Sequence, residues 1–169
     1  MKILKAALLF LPVILLTMSL TPAKKKYLFD SPEGKFSIVF PAEYNTEVDS
    51  SEIAVTSKTN CVRNDQTYYA SFTIHKVKME KSDQKDMAEV SLDSFVKTVK
   101  GDLVIKKEWN VKGNTGLIAL IEIPANDVRM EYRVFVVGYI QYQFVVVAKN
   151  ADFDENAAEK FFKSFKLKS

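Results

Sequence analysis

Cysteine, histidine and tryptophan each occur once in these 169 residues, as Cys61, His75 and Trp109. A lone cysteine closes no internal disulfide, so the core must hold by packing. Beside Val62 in a strand-like run, Cys61 is expected to be a small buried hydrophobe. A lone histidine rules out two-histidine zinc sites and histidine shuttles, and no nucleophile motif flanks it for a serine–histidine–aspartate arrangement. The five glycines, at 34, 101, 113, 116 and 138, make no strand-loop-helix cradle for a phosphate. Gly113-Asn114-Thr115-Gly116 leads into a strand and is expected to be a turn. Asp152, Asp154 and Glu155 lack the spacing of a calcium loop, and capping of a helix explains them. No metal or cofactor is expected, and no catalytic or cofactor-binding residue is assigned.

Charge of one sign is also lacking. The 24 basic and 21 acidic residues include Lys2 and Lys5 near the N-terminus. Without those two the balance is 22 against 21, which leaves no electrostatic case for nucleic acid.

What is present begins with an address. Met1-Lys2-Ile3-Leu4-Lys5 is basic, residues 6–20 are uncharged and rich in Leu, Ile and Val, and Thr21-Pro22-Ala23 ends in a small residue. That is the plan of a secretory signal with cleavage near Ala23, which gives a signal peptide over 1–23 and one domain over 24–169. The alternative is an N-terminal membrane anchor, because residues 6–23 reach the lower edge of the roughly 18 apolar residues a spanning helix needs. Lys24, Lys25 and Lys26 favour that alternative, whereas Pro12, Thr17, Ser19 and Pro22 weaken it. The leader ends without a cysteine, which argues against a lipoprotein. The expected location is periplasmic or secreted, with no integral membrane segment after cleavage.

The rest of the chain is strand-rich. Residues 27–29 and 36–40 bracket a turn with Pro32 and Gly34, and 52–62 and 68–79 bracket Arg63-Asn64-Asp65-Gln66, so each pair predicts a hairpin. In the fourth of these runs Tyr68, Ala70, Phe72 and Ile74 share one face, and Tyr69, Ser71, Thr73 and His75 the wetter one. Residues 102–111, 116–123, 128–137 and 139–149 follow with short turns between them and predict an antiparallel meander. The runs 116–123 and 139–149 are apolar on both faces and are expected to lie centrally, covered on each side.

Two segments change period. Ala88, Leu92, Phe95, Val96 and Val99 recur at helical spacing, with Ser82 or Asp83 to cap the start and Gly101 placed for a left-handed C-terminal residue. Ala158, Phe161, Phe162 and Phe165 make a second stripe, with Asp152 or Asp154 as cap. The fold class is therefore α+β: an antiparallel sheet of six to seven strands flanked by helices.

The run Phe29-Asp30-Ser31-Pro32-Glu33-Gly34-Lys35-Phe36-Ser37-Ile38-Val39-Phe40-Pro41 resembles the start of the PsbP-like family, exported relatives of the photosystem II extrinsic subunit. The ending Ala158-Glu159-Lys160-Phe161-Phe162-Lys163-Ser164-Phe165-Lys166-Leu167, reached through a hairpin turning at Gly138, is similar to that family's close. The resemblance implies an α/β/α sandwich, a non-enzymatic role and function by docking to other proteins. No photosystem-docking or metal-contacting residue of the family has a matching motif here.

The expected function is an exported binding or assembly module with a protein partner in the cell envelope and an unspecified oligomeric state. A carrier of small apolar ligands, holding its cargo between helix and sheet, is the alternative. A hydrolase built on a Cys61–His75 pair ranks last, since it needs the hairpin to bring the two together. Lys163, Lys166 and Lys168 are expected to be solvated, and Trp109 is the aromatic of interest for recognition.

Overall fold

The computed structural model describes residues 27–168. The expected signal peptide over 1–23, and Lys24–Lys26 after it, lie outside these residues. No helix among the described residues is long and apolar enough to cross a membrane.

Among the described residues ten strands and two α-helices follow one another: β1 Leu28–Ser31, β2 Phe36–Val39, β3 Asn45–Ser50, β4 Ala54–Arg63, β5 Gln66–His75, α1 Gln84–Val99, β6 Asp102–Val111, β7 Asn114–Ile123, β8 Val128–Val137, β9 Ile140–Lys149, α2 Glu155–Lys163 and β10 Lys166–Leu167. Seven form one antiparallel sheet in the order β3-β4-β5-β9-β8-β7-β6, and β1-β2-β10 form a small second sheet. The α+β architecture expected from the sequence is the one observed.

Hairpin chemistry sets the registers. Asn64 and Asp65 both adopt positive φ between β4 and β5, as do Lys112 and Gly113 between β6 and β7. Two such residues make the tight turn whose twist matches the flanking strands. The second turn, Val111–Asn114, therefore falls two residues earlier than the glycine pair suggests. Gly116 lies inside β7, where a Cβ would come within 2.5 Å of the Phe135 Cβ and the Val134 carbonyl oxygen.

Helix α1 packs on one face of the large sheet. Ala88 and Leu92 are buried against Leu117, Ala119, Ile121, Tyr132 and Val134, and Phe95 stacks on Tyr132 with centroids 4.4 Å apart. Two expectations at its ends are corrected. Asp83 is the N-terminal cap residue, but its backbone is helical and its side chain makes no cap bond; its carboxylate instead accepts from the Ser82 hydroxyl. At the other end Lys100, not Gly101, takes the left-handed conformation. Gly101 serves close approach, since a Cβ there would lie 2.5 Å from the Ile121 methyl Cγ2.

The opposite face is covered jointly by the small sheet and α2. Phe36, Ile38 and Phe40 pack with Phe72, Phe135, Tyr142 and Phe144 from the large sheet and with Phe161 and Phe162 from α2. The Tyr142 hydroxyl donates to the Gly34 carbonyl at 2.8 Å, and the Val39 amide donates to the Ser164 hydroxyl at 2.9 Å. Asp154 caps α2, its carboxylate accepting from the Ala157 amide at 3.0 Å.

β9 is the fourth of seven strands and lies centrally, as expected. β7 does not: it is second from the edge, with only β6 outside it. Its Leu117, Ala119 and Ile121 are buried under α1, while Ile118 and Leu120 on the other side are only half-buried. Among the described residues, the cover on that side reaches β6 only at Trp109, which packs edge-on against Phe135, Phe144 and Phe165.

Candidate functional site

Cys61 and His75 are not brought together. Cys61 stands opposite Tyr68 in the β4–β5 ladder and His75 opposite Ala54, so seven pairs separate them. Seven positions put them about 23 Å apart along the strand and on opposite faces. Cys61 is buried against the small sheet, and that burial raises its thiol pKa, with the Ala42 backbone contact and Arg63 opposing weakly. His75 faces the other way; its Nε2 lies 3.2 Å from Gln141 Oε1, and Gln141 Nε2 donates to Ser91 Oγ at 3.0 Å. This polar seam fastens α1 to the sheet and includes no activated nucleophile.

Of the three acids Asp152, Asp154 and Glu155, Asp154 caps α2 and Glu155 pairs with Arg129 at 2.9 Å. The Gly113 turn is held by Lys81, which donates to the Gly113 carbonyl and the Asn114 side chain at 2.8 Å each. Among the described residues no three histidine, cysteine or acidic side chains are placed to hold a metal ion.

Two recesses flank α2. The first, about 550 Å³, opens between α2 and the β4–β5 turn, with Val39, Phe40, Tyr68 and Phe161 against Arg63 and Lys160. Gln66 closes its back, accepting from the Asp154 amide at 2.8 Å and donating to the Tyr68 hydroxyl at 2.8 Å.

The second, about 520 Å³, lies on the other side of α2, where Trp109 of β6 meets Phe162, Phe165 and Arg133. Arg133 organises it. The guanidinium donates to Glu131 from both Nε (2.8 Å) and a terminal nitrogen (2.6 Å), pairs with Glu159 of α2 at 3.2 Å, and sits 4.0 Å over the Phe162 ring and 5.5 Å over Trp109. Strand alternation extends the recess into a shelf. On the face of β6 and β7 that bears Trp109, Lys107 stands opposite Ile118 and Ile105 opposite Leu120. Among the described residues no element lies over this part of the sheet, and Ile105 is 40% exposed.

Leu103, 41% exposed, and Val104, 51% exposed, continue the apolar surface round the strand edge. A register shift between Leu103 and Ile105 bulges this edge, and with the adjacent lysines it discourages indiscriminate strand pairing. Thus Trp109 and two of the C-terminal lysines, Lys163 and Lys166, which the sequence offers separately, meet at one site. The shelf itself was not expected. Its signal was the consecutive apolar run Leu103-Val104-Ile105 beside the two-faced strand β7.

The fold is similar to the solution structure of cyanobacterial PsbP (CyanoP) from Synechocystis sp. PCC 6803, with a TM-score of 0.58 and 9% identity over 83% of this chain and 91% of that one. A crystal structure from Bacteroides thetaiotaomicron VPI-5482 overlaps 86% of this chain and 50% of its own, at 14% identity and a TM-score of 0.43. No family model matches the sequence, and no curated protein matches it. The likeness to the cyanobacterial structure is one of fold, and in fold this chain is PsbP-like.

Proposed function

We propose that this chain is an exported, non-enzymatic docking module that binds a protein partner in the cell envelope through the uncovered shelf of β6 and β7. The observation that carries this reading is the half-bare strand β7. Ile118 and Leu120 remain part-exposed beside Ile105 and Trp109, although the opposite side of the same strand is buried under α1. A contiguous apolar surface rimmed by charge is what a protein interface offers. The catalytic parts, by contrast, are dispersed: Cys61 and His75 lie on opposite faces. The leader-like composition of residues 1–23 supports export, and the PsbP-like fold supports an extrinsic role.

Affinity capture from envelope extract tests it, comparing the wild-type chain with an Ile105→Glu/Leu120→Glu variant. One stoichiometric protein recovered by the wild type and lost with the variant supports docking at the shelf. Equal recovery by both refutes it.

The first recess favours a second reading, a carrier of small ligands. A volume of about 550 Å³ between α2 and the sheet is within the range of small-molecule sites, roughly 300–1,000 Å³. Native mass spectrometry separates the readings, since a carrier retains a co-purified metabolite or lipid and a docking module does not.

A further inference from the structure

We infer that the Trp109 end of the shelf takes an acidic, extended segment of the protein partner, with one apolar side chain of that segment seated against Trp109. The inference rests on the docking reading and adds the chemistry of what docks.

Its ground is an uneven distribution of charge. The recess brings Lys112, Lys163, Lys166 and Arg133 around the aromatic surface of Trp109, Phe162 and Phe165, and no acidic residue lines it. Arg133 and Lys163 are compensated by Glu131 and Glu159. Lys112, Lys166 and the neighbouring Lys107 make no ion pair among the described residues. Three uncompensated ammonium groups around one aromatic patch repel one another, and an approaching carboxylate relieves that repulsion.

At the far end of the shelf the sign reverses. Asp102 faces Glu122 across the β6–β7 pair, beyond Ile105 and Leu120, and Arg129 of β8 beside Glu122 is already paired with Glu155 at 2.9 Å. The surface is therefore polarised along its length, and an acidic stretch is favoured at the Trp109 end. A small anion would fill the recess yet leave Ile105, Ile118 and Leu120 wet, whereas an extended chain covers cations and apolar strip together. Trp109, with Arg133 beside it, is the aromatic-and-arginine anchor on which interfaces concentrate their energy.

Fluorescence anisotropy tests this with a fluorescein-labelled peptide of alternating glutamate and valine carrying one tryptophan. Saturable binding to the purified full chain is expected at low salt, weakening steeply as salt rises. A Lys112→Glu/Lys166→Glu variant should bind about tenfold more weakly, and Trp109→Ala should also lose affinity. A Lys78→Glu/Lys97→Glu control, which makes the same charge change away from the recess, should bind as the wild type does. Absence of saturable binding, equal loss in both lysine variants, or equal binding of the peptide with lysine for glutamate overturns the inference. Preference for phosphatidylglycerol vesicles over the peptide also overturns it and assigns the basic end to a lipid surface. If shelf-dependent capture of a partner succeeds while the peptide fails, only the acidic-segment inference falls; if capture fails, both fall.

Discussion

Phe36→Ala is the sharpest test of how the two sheets are joined. Phe36 is fully buried. Its ring centroid lies 5.6 Å from Phe29, 5.9 Å from Phe72, 5.7 Å from Tyr142, 5.9 Å from Phe144 and 5.7 Å from Phe165. Those neighbours come from the small sheet, two central strands and the segment after α2, so the ring is a common contact of every layer on that face. Truncating a buried phenylalanine costs about 3–5 kcal/mol. Five aromatic neighbours place Phe36 in the upper half of that range, because each ring pair adds about 0.5–1.5 kcal/mol beyond its area. A chain of this size loses about 2–4 °C of melting temperature per kcal/mol, so a fall of about 10–15 °C is expected in a circular-dichroism melt. Val48→Ala, on an edge strand and 64% exposed, should leave the midpoint nearly unchanged. A Phe36→Ala melt within about 3 °C of wild type, an effect of about 1 kcal/mol, would refute the packing described.

Three further outcomes follow from the same geometry. Gly116→Ala should cost about 1–3 kcal/mol or more in urea unfolding, because its Cβ meets backbone and Phe135 that have no room to move. Cys61 should react slowly with a thiol reagent in the native protein and fast in denaturant, since burial both shields the thiol and raises its pKa. Glu159 sits below its ordinary value of 4.5, chiefly through the hydrogen bond from Lys163, with the charges of Lys163 and Arg133 also lowering it and burial opposing. Its contribution is therefore present above the unfolded-state value and lost as pH falls through the lower folded-state value. Urea midpoints measured above and below pH 4.5 should show the wild type losing its advantage over Glu159→Gln in acid.

Much of the fold was legible because local pattern and tertiary cover agree. The stripe Ala88, Leu92, Phe95, Val96 and Val99 belongs to one cluster under α1, and the alternation of Tyr68, Ala70 and Phe72 places all three in the other. β3 was not legible: all six of its residues are exposed, five of them polar, and it exists because β4 offers an edge. β10 is only two residues long and is created by its pairing with β2. The centre of the sheet was half legible. Apolar residues on both faces mark β9 and β7 alike, but only the order of strands tells a covered strand from one whose cover stops short. That difference is also why the candidate site stayed hidden. Its Trp109, Arg133 and Lys166 come from β6, β8 and β10, and no local period relates them.

Site-specific photo-crosslinking in living cells tests docking at the shelf most directly. A photoreactive residue at Ile105 should yield one discrete adduct with a second protein, and the same residue at Tyr69, on the opposite face of the sheet, should yield none. No adduct from Ile105, or the same adduct from both positions, would contradict the assignment of this surface.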